Sequence, residues 1–272
     1  MLKKTIIARK MKNKININKK ILLLGASSDM GLALLDRLNL SNFTLGAHCY
    51  KGEKRIINWI KLNGKKANIK IMKKNLKDQK SCYALVDKFI KWSGGIDVLV
   101  QLNGNISSVV YWDQLKEQDW RKDIAINLGA PFFVAQRVFG HMKKKGGKVI
   151  LMSTASAKHG GGSNTMGYGI AKAGVEALTK GMAREGGKYN ILVNAIAPGL
   201  IKTRFHKEKA GKTSFEIKKR ANLSRLKRIG EPSEIAAVIK HLISDDINYI
   251  TGETISVSGG DWIEYTSKKL EI

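Results

Sequence analysis

The sequence predicts an α/β fold: a single doubly wound domain on a parallel sheet of about seven strands, with helices on both faces. Three observations predict it. Short apolar runs alternate along the chain with amphipathic stretches of roughly ten residues or more, the order that builds strand–helix–strand units. The short runs are apolar at successive positions, as strands buried on both sides must be. Only three prolines occur and no Pro/Ser-rich linker interrupts the chain, so residues 19–272 are expected to form one domain.

Taken in order, Lys20–Leu24 is the first apolar run and ends at Gly25. From about Met30, Leu32, Leu35 and Leu38 recur at helical spacing, which gives strand, glycine turn and helix. Further strands are expected at Phe43–Cys49, Ile69–Met72, Val98–Leu102, Val149–Met152, Leu192–Ala197 and Thr254–Val257. Helices are expected at Glu53–Leu62, Ser81–Trp92, Trp120–Lys143, Tyr168–Gly186 and Pro232–Ile243. This succession matches a Rossmann-type dinucleotide-binding sheet.

Composition narrows the function classes. Cys49 and Cys82 lie far apart and belong to no CxxC or Cys/His cluster, so no metal site or disulfide framework is expected, and a reducing, cytoplasmic setting is. The chain has no apolar run of about 18 residues that would read as a membrane helix. Basic residues number 49 against 22 acidic ones, a formal charge of +27. The excess is concentrated: residues 1–20 hold eight basic and no acidic side chains, and residues 51–80 and 202–228 each hold eleven and two. Lysine filling solvated positions of a Lys/Asn/Ile-rich chain explains this, as does an acidic partner such as nucleic acid, anionic lipid, an acidic carrier protein or a phosphorylated substrate. Residues 1–18 lack the apolar stretch of a signal peptide and are read as a disordered basic arm.

Four segments carry chemistry. The turn Gly25-Ala26-Ser27-Ser28-Asp29-Met30-Gly31 opens the first helix, where glycine permits a tight turn and free N–H groups attract a pyrophosphate. Asp29 is open to two readings there, a helix cap or a charge that repels phosphate. At the end of the second strand no acid is placed to take the ribose hydroxyls of NAD, whereas Lys51, Lys54 and Arg55 are near enough to meet the 2′-phosphate of NADP. Tyr168 and Lys172 share one helix face, so the ammonium is expected to lower the phenol pKa and make a proton donor–acceptor for an alkoxide. The strand ending in Ser153-Thr154-Ala155-Ser156 offers a hydroxyl to a substrate carbonyl.

In this order the segments resemble the short-chain dehydrogenase/reductase family, from about Lys20 to Trp262. Gly25–Gly31 is similar to its TGxxxGxG motif, with Asp29 in place of the middle glycine. Asn75-Leu76 stands where the family contacts adenine, and Gln101-Leu102-Asn103-Gly104 where it has NNAG, with Gly104 alone in step. Asn127 matches the asparagine of the catalytic tetrad, and Tyr168 with Lys172 matches YxxxK. Thr154 stands for the usual serine, one residue further from the tyrosine than is usual, which leaves Ser153 and Ser156 as alternatives. Val193-Asn194-Ala195-Ile196-Ala197-Pro198-Gly199-Leu200-Ile201-Lys202-Thr203 is very similar to VNxIxPGxIxT, with Ile201 and Thr203 facing the nicotinamide.

The resemblance implies catalysis by Asn127, Thr154, Tyr168 and Lys172. It implies dinucleotide binding by Gly25, Ser27, Ser28, Asp29, Met30, Gly31, Lys51, Asn75, Leu76, Asn103, Gly104, Tyr168, Lys172, Pro198, Gly199, Ile201 and Thr203. NADP(H) is favoured over NAD(H). The subgroup it resembles most is the 3-oxoacyl-(acyl carrier protein) reductases, with a basic lid at about residues 202–228 over a small-molecule or carrier-bound anionic substrate. A dehydrogenase or reductase of a sugar or sugar nucleotide in polysaccharide synthesis is the alternative. A non-catalytic module binding nucleic acid or an anionic surface is the least favoured. By the same resemblance a tetramer or dimer is implied, joined partly by the helix of Tyr168, where Ala171, Ala173, Gly174 and Ala177 permit close packing.

Overall fold

A computed structural model describes residues 18–63, 68–211, 213–261 and 263. All but the last residue of the expected arm at 1–18, and Trp262, lie outside the described residues. The chain runs β1 (Lys19–Leu24), α1 (Asp29–Arg37), β2 (Phe43–Cys49), α2 (Glu53–Asn63), β3 (Asn68–Lys73), α3 (Gln79–Ser93) and β4 (Val98–Gln101). It continues with α4 (Glu117–Ile124), α5 (Ala130–Met142), β5 (Gly147–Met152), α6 (Met166–Gly186) and β6 (Ile191–Pro198). The short helices α7 (Arg204–Glu208) and α8 (Ser214–Ala221) precede α9 (Pro232–Leu242) and β7 (Thr254–Val257).

The seven strands form one sheet in the order β3-β2-β1-β4-β5-β6-β7, every neighbouring pair parallel. The order reverses between β1 and β4, which opens a crevice beyond their carboxyl ends. Side chains along β1 alternate between two apolar cores. Ile21 and Leu23 join Leu34 of α1, Ile56 of α2 and Ile239 of α9 on one face. Leu22 and Leu24 join Phe89 of α3, Val134 of α5 and Val175 of α6 on the other. Burial on both faces explains why these strands read as unbroken apolar runs.

One expected helix is two. The stretch Trp120–Lys143 is interrupted by a wider, π-type turn at Ala125–Gly129, across which the Ala130 amide bonds the Ala125 carbonyl. Pro131, in the first turn of α5, has no N–H to give Asn127, so the ordinary helical bond to that carbonyl cannot form. The lid expected at 202–228 contains α7 and α8, which sequence periodicity did not separate.

Candidate active site

The glycine turn lies over the β1/β4 crevice. Gly25 has φ +74°, and a Cβ there would sit 2.9 Å from the Asn103 amide, so the turn and the end of β4 come together only with glycine. Ser28 is the cap of α1, its Oγ accepting from the Gly31 amide at 3.0 Å. Asp29 is therefore the first helical residue and not the cap. Ser27 Oγ donates to the Lys51 carbonyl at 3.0 Å, tying the turn to the end of β2.

A cavity of about 230 Å³ opens beside this turn and brings together Ser28, Asp29, Met30, Asn103, Gly104, Thr154, Tyr168, Lys172, Pro198, Gly199, Ile201 and Thr203. Its wall fits a dinucleotide: the buried Asn103 Oδ1 has no protein donor, and the glycine turn presents backbone without side chain. Asn103 Nδ2 donates to the Ile126 carbonyl at 3.3 Å, so the altered NNAG segment is still pinned to the π-type turn. Gln101, where the family has asparagine, is buried and donates to the Pro131 carbonyl at 3.0 Å.

Asn127 is fully buried at the π-type turn. Its Nδ2 donates to the carbonyls of Asn105 (2.7 Å) and Asp123 (2.9 Å), and its Oδ1 accepts from the Asn105 amide at 3.0 Å. A Cβ on Gly104 would lie 3.1 Å from Asn127 Oδ1 and 3.7 Å from Lys172 Nζ; glycine lets these two side chains converge. Lys172 is buried and its ammonium donates to the Met152 carbonyl at 2.8 Å. Burial lowers its pKa to about 8.

Tyr168 does not behave as expected. Burial pushes its phenol well above the ordinary value, the hydrogen bond with Thr154 pulls it back in part, and the Asp123 carboxylate raises it further. The Lys172 ammonium lies 5.6 Å from the ring centroid, and the lowering expected from it does not appear. The group is a phenol at neutral pH, the form that gives a proton to a reduced carbonyl. Thr154 lines the cavity with Tyr168. Ser153 is buried and committed to the Lys172 carbonyl (3.1 Å) and Glu176 (2.8 Å), while Ser156 Oγ lies 3.1 Å from Thr154 Oγ1. Before Tyr168, Gly160–Gly161 pack so closely on α6 that a Cβ on Gly169 would be 2.3 Å from the Gly160 carbonyl oxygen.

A second cavity, about 380 Å³, meets the first along Thr154, Tyr168, Pro198, Gly199, Phe205 and His206. The Phe205 ring stands 5.9 Å from that of Tyr168. Tyr168 and Thr154 thus face two spaces at once. Phe205, His206 and Asp123 were not singled out from sequence. Position just after the PGxIxT-like segment was the available signal for the first two, and Asp123, buried with its Oδ1 accepting from the Ser107 amide at 2.8 Å, gave none.

Other expected residues lie apart. Leu76 is buried in the second apolar core, Asn75 is exposed, and Lys51 and Lys54 are exposed at the end of β2. Arg55 is engaged by the glycine turn: its guanidinium donates to the Ser27 carbonyl and to Asp29 Oδ1 (2.7 Å). On α6, Ala173 and Ala177 are exposed, but Ala171 is buried and a Cβ on Gly174 would touch Leu128 at 2.9 Å, so those two serve internal packing.

Comparison with known proteins agrees with this geometry. A family model described as enoyl-(acyl carrier protein) reductase matches residues 31–261. The chain is 38% identical over 192 residues to the 3-oxoacyl-[acyl-carrier-protein] reductase FabG of Thermotoga maritima, covering 68% of this chain and 74% of that one. It is 30% identical over 247 residues to the acetoacetyl-CoA reductase of an Acinetobacter species, covering 89% and 97%. A solved short-chain dehydrogenase/reductase from Serratia marcescens shares the fold, with a TM-score of 0.82 at 23% identity over 90% of this chain and 99% of that one. On these matches the chain belongs to the short-chain dehydrogenase/reductase family, a family of NAD(P)-dependent oxidoreductases.

Proposed function

We propose that this protein is an NADP(H)-dependent reductase of β-keto thioesters. The observation that carries the reading is the placement of Thr154 and Tyr168 together on the wall common to two cavities, with Lys172 lining the first of them. The glycine turn, Asn103, Pro198, Gly199, Ile201 and Thr203 would hold the dinucleotide, whose nicotinamide would supply the hydride. The two hydroxyls orient the ketone oxygen, and Tyr168 gives its proton as the alkoxide forms. The Lys172 ammonium, 5.6 Å from the Tyr168 ring centroid, returns a proton to the phenolate left behind. Asn127, whose carbonyl has lost its helical donor to Pro131, holds the water through which Lys172 is reprotonated.

Exposed Lys51 and Lys54, with no acid at the end of β2, favour the 2′-phosphate of NADP. The names of the Thermotoga and Acinetobacter relatives point to β-keto thioesters, and the basic segment 202–228 suits an anionic carrier. We also place a contact between copies of the chain on the exposed face of α6 formed by Met166, Ile170, Ala173 and Ala177. Titration with NADPH and with NADH, followed by absorbance after adding acetoacetyl-CoA, tests the assignment. The expected result is NADPH binding at least about ten-fold tighter than NADH, with turnover. Equal affinity for the two overturns the cofactor choice, and binding without turnover overturns the substrate class.

A further inference from the structure

We propose that Asp29 is a positioning residue that ties the strap Thr203–Glu208 to the cofactor turn, and that it holds dinucleotide affinity down in doing so. The proposal rests on the dinucleotide reading of the turn given above. Both oxygens of Asp29 are in use. Oδ2 accepts from the Arg204 main-chain amide at 2.8 Å, across 175 residues of sequence. Oδ1 accepts from Arg55 Nη2 at 2.7 Å and from Arg204 Nε at 3.4 Å. Three elements therefore meet at one carboxylate: the first turn of α1, the start of α2 and the strap.

The bond to the Arg204 amide has a local reason. The first N–H groups of a helical turn have no partner within it, and a side-chain oxygen at the preceding residue ordinarily supplies one. Thr203 makes no such bond. Asp29 takes its place from the other end of the chain. Both neighbours of Arg204 belong to the site: Phe205 packs against Tyr168, and Thr203 lines the cofactor cavity. Fixing Arg204 fixes both of them. Burial alone would raise the Asp29 pKa, but the bonds from Arg204 and Arg55 outweigh it, and the carboxylate is held below its ordinary range and stays charged.

A charged carboxylate beside the free amides of α1 is a cost to any pyrophosphate bound there, and it engages two arginines that would otherwise attract one. Strap order and dinucleotide affinity are thus set against each other at one residue. Asp29→Gly removes the charge and the acceptor; Asp29→Asn removes the charge and keeps an acceptor for the Arg204 amide. Amide exchange over Arg204–Glu208 is measured on each protein without dinucleotide, and NADPH affinity by fluorescence titration.

In Asp29→Gly the strap amides are expected to exchange about ten-fold faster than in the parent, with Asp29→Asn restoring most of the protection. In Asp29→Asn, NADPH is expected to bind about five-fold tighter, and less so at high salt. Unchanged strap exchange in Asp29→Gly overturns the anchor, and NADPH binding no tighter in Asp29→Asn overturns the trade. Should the parent bind no NADPH, the dinucleotide reading and the trade fall with it, while the exchange arm still decides the anchor.

Discussion

At the scale of single residues, the site is governed by burial. Lys172 stays mostly charged at neutral pH but titrates just above it, because removal from water brings its pKa from the ordinary 10.5 to about 8. Tyr168 is shifted the other way and keeps its proton. The lysine therefore sets the pH dependence of catalysis. With its depressed pKa it loses its charge as pH rises through about 8, while the phenol above it stays protonated. Reduction needs both protons in place, so its rate is expected to fall above pH 8, approaching ten-fold per unit. A pH profile of kcat in the reductive direction checks this, and a rate flat to pH 10 contradicts it. Tyr168 and Lys172 were read from residue type and spacing and Asn127 from the family resemblance, and the fold brings Asn127 and Lys172 together at Gly104. The direction of the tyrosine shift was not, since spacing reports a neighbouring charge and not the loss of solvent. Nor was the fate of Asp29 or Arg55: Asp29 pairs with both Arg55 and Arg204, which lie far from it in sequence and are brought near only by the fold.

At the scale of elements, every expected strand is present, and the misreadings concern helix continuity and direction. The periodicity of Trp120–Lys143 survives a π-type turn, so apolar spacing did not reveal the break; Pro131 was the sole local sign of it. Leu76 reads as a site residue by position, yet its side chain is core, because position along the chain does not fix which way a side chain points. Helix α6 shows the same distinction. Of its four small residues two pack inward, and the outward pair continues the line Met166, Ile170, Ala173, Ala177, at spacings that share one face. An exposed apolar line of this kind on a catalytic helix is the face through which we expect copies to join. Ala173→Arg places a charge in its middle. Light scattering after gel filtration is expected to show the parent as a dimer or tetramer and the variant at a smaller mass; equal masses contradict this.

At the scale of the whole molecule, the parallel order β3-β2-β1-β4-β5-β6-β7 places the ends of β1, β4, β5 and β6 around one crevice; Thr154, Tyr168 and Lys172 reach it from the β5–β6 connection, and Asn127 of the β4–β5 connection converges with Lys172 at Gly104. That convergence explains why the order of motifs in the sequence was informative when no single motif was. The basic bias is partly internal. In the lid, Arg204 pairs with Asp29, Arg220 with Asp261 (2.7 Å) and Arg228 with Glu234 (2.7 Å), so several of its cations hold the lid to the body. Among the described residues no helix is long and apolar enough to cross a membrane, and no cluster of side chains suits a metal ion. Tyr168 is expected to deliver the proton to a ketone reduced at the cofactor cavity. Tyr168→Phe removes one oxygen and leaves the ring on Phe205. With NADPH and acetoacetyl-CoA, turnover is expected to fall by at least about a thousand-fold while NADPH affinity stays within about three-fold of the parent. Turnover retained in that variant would contradict it.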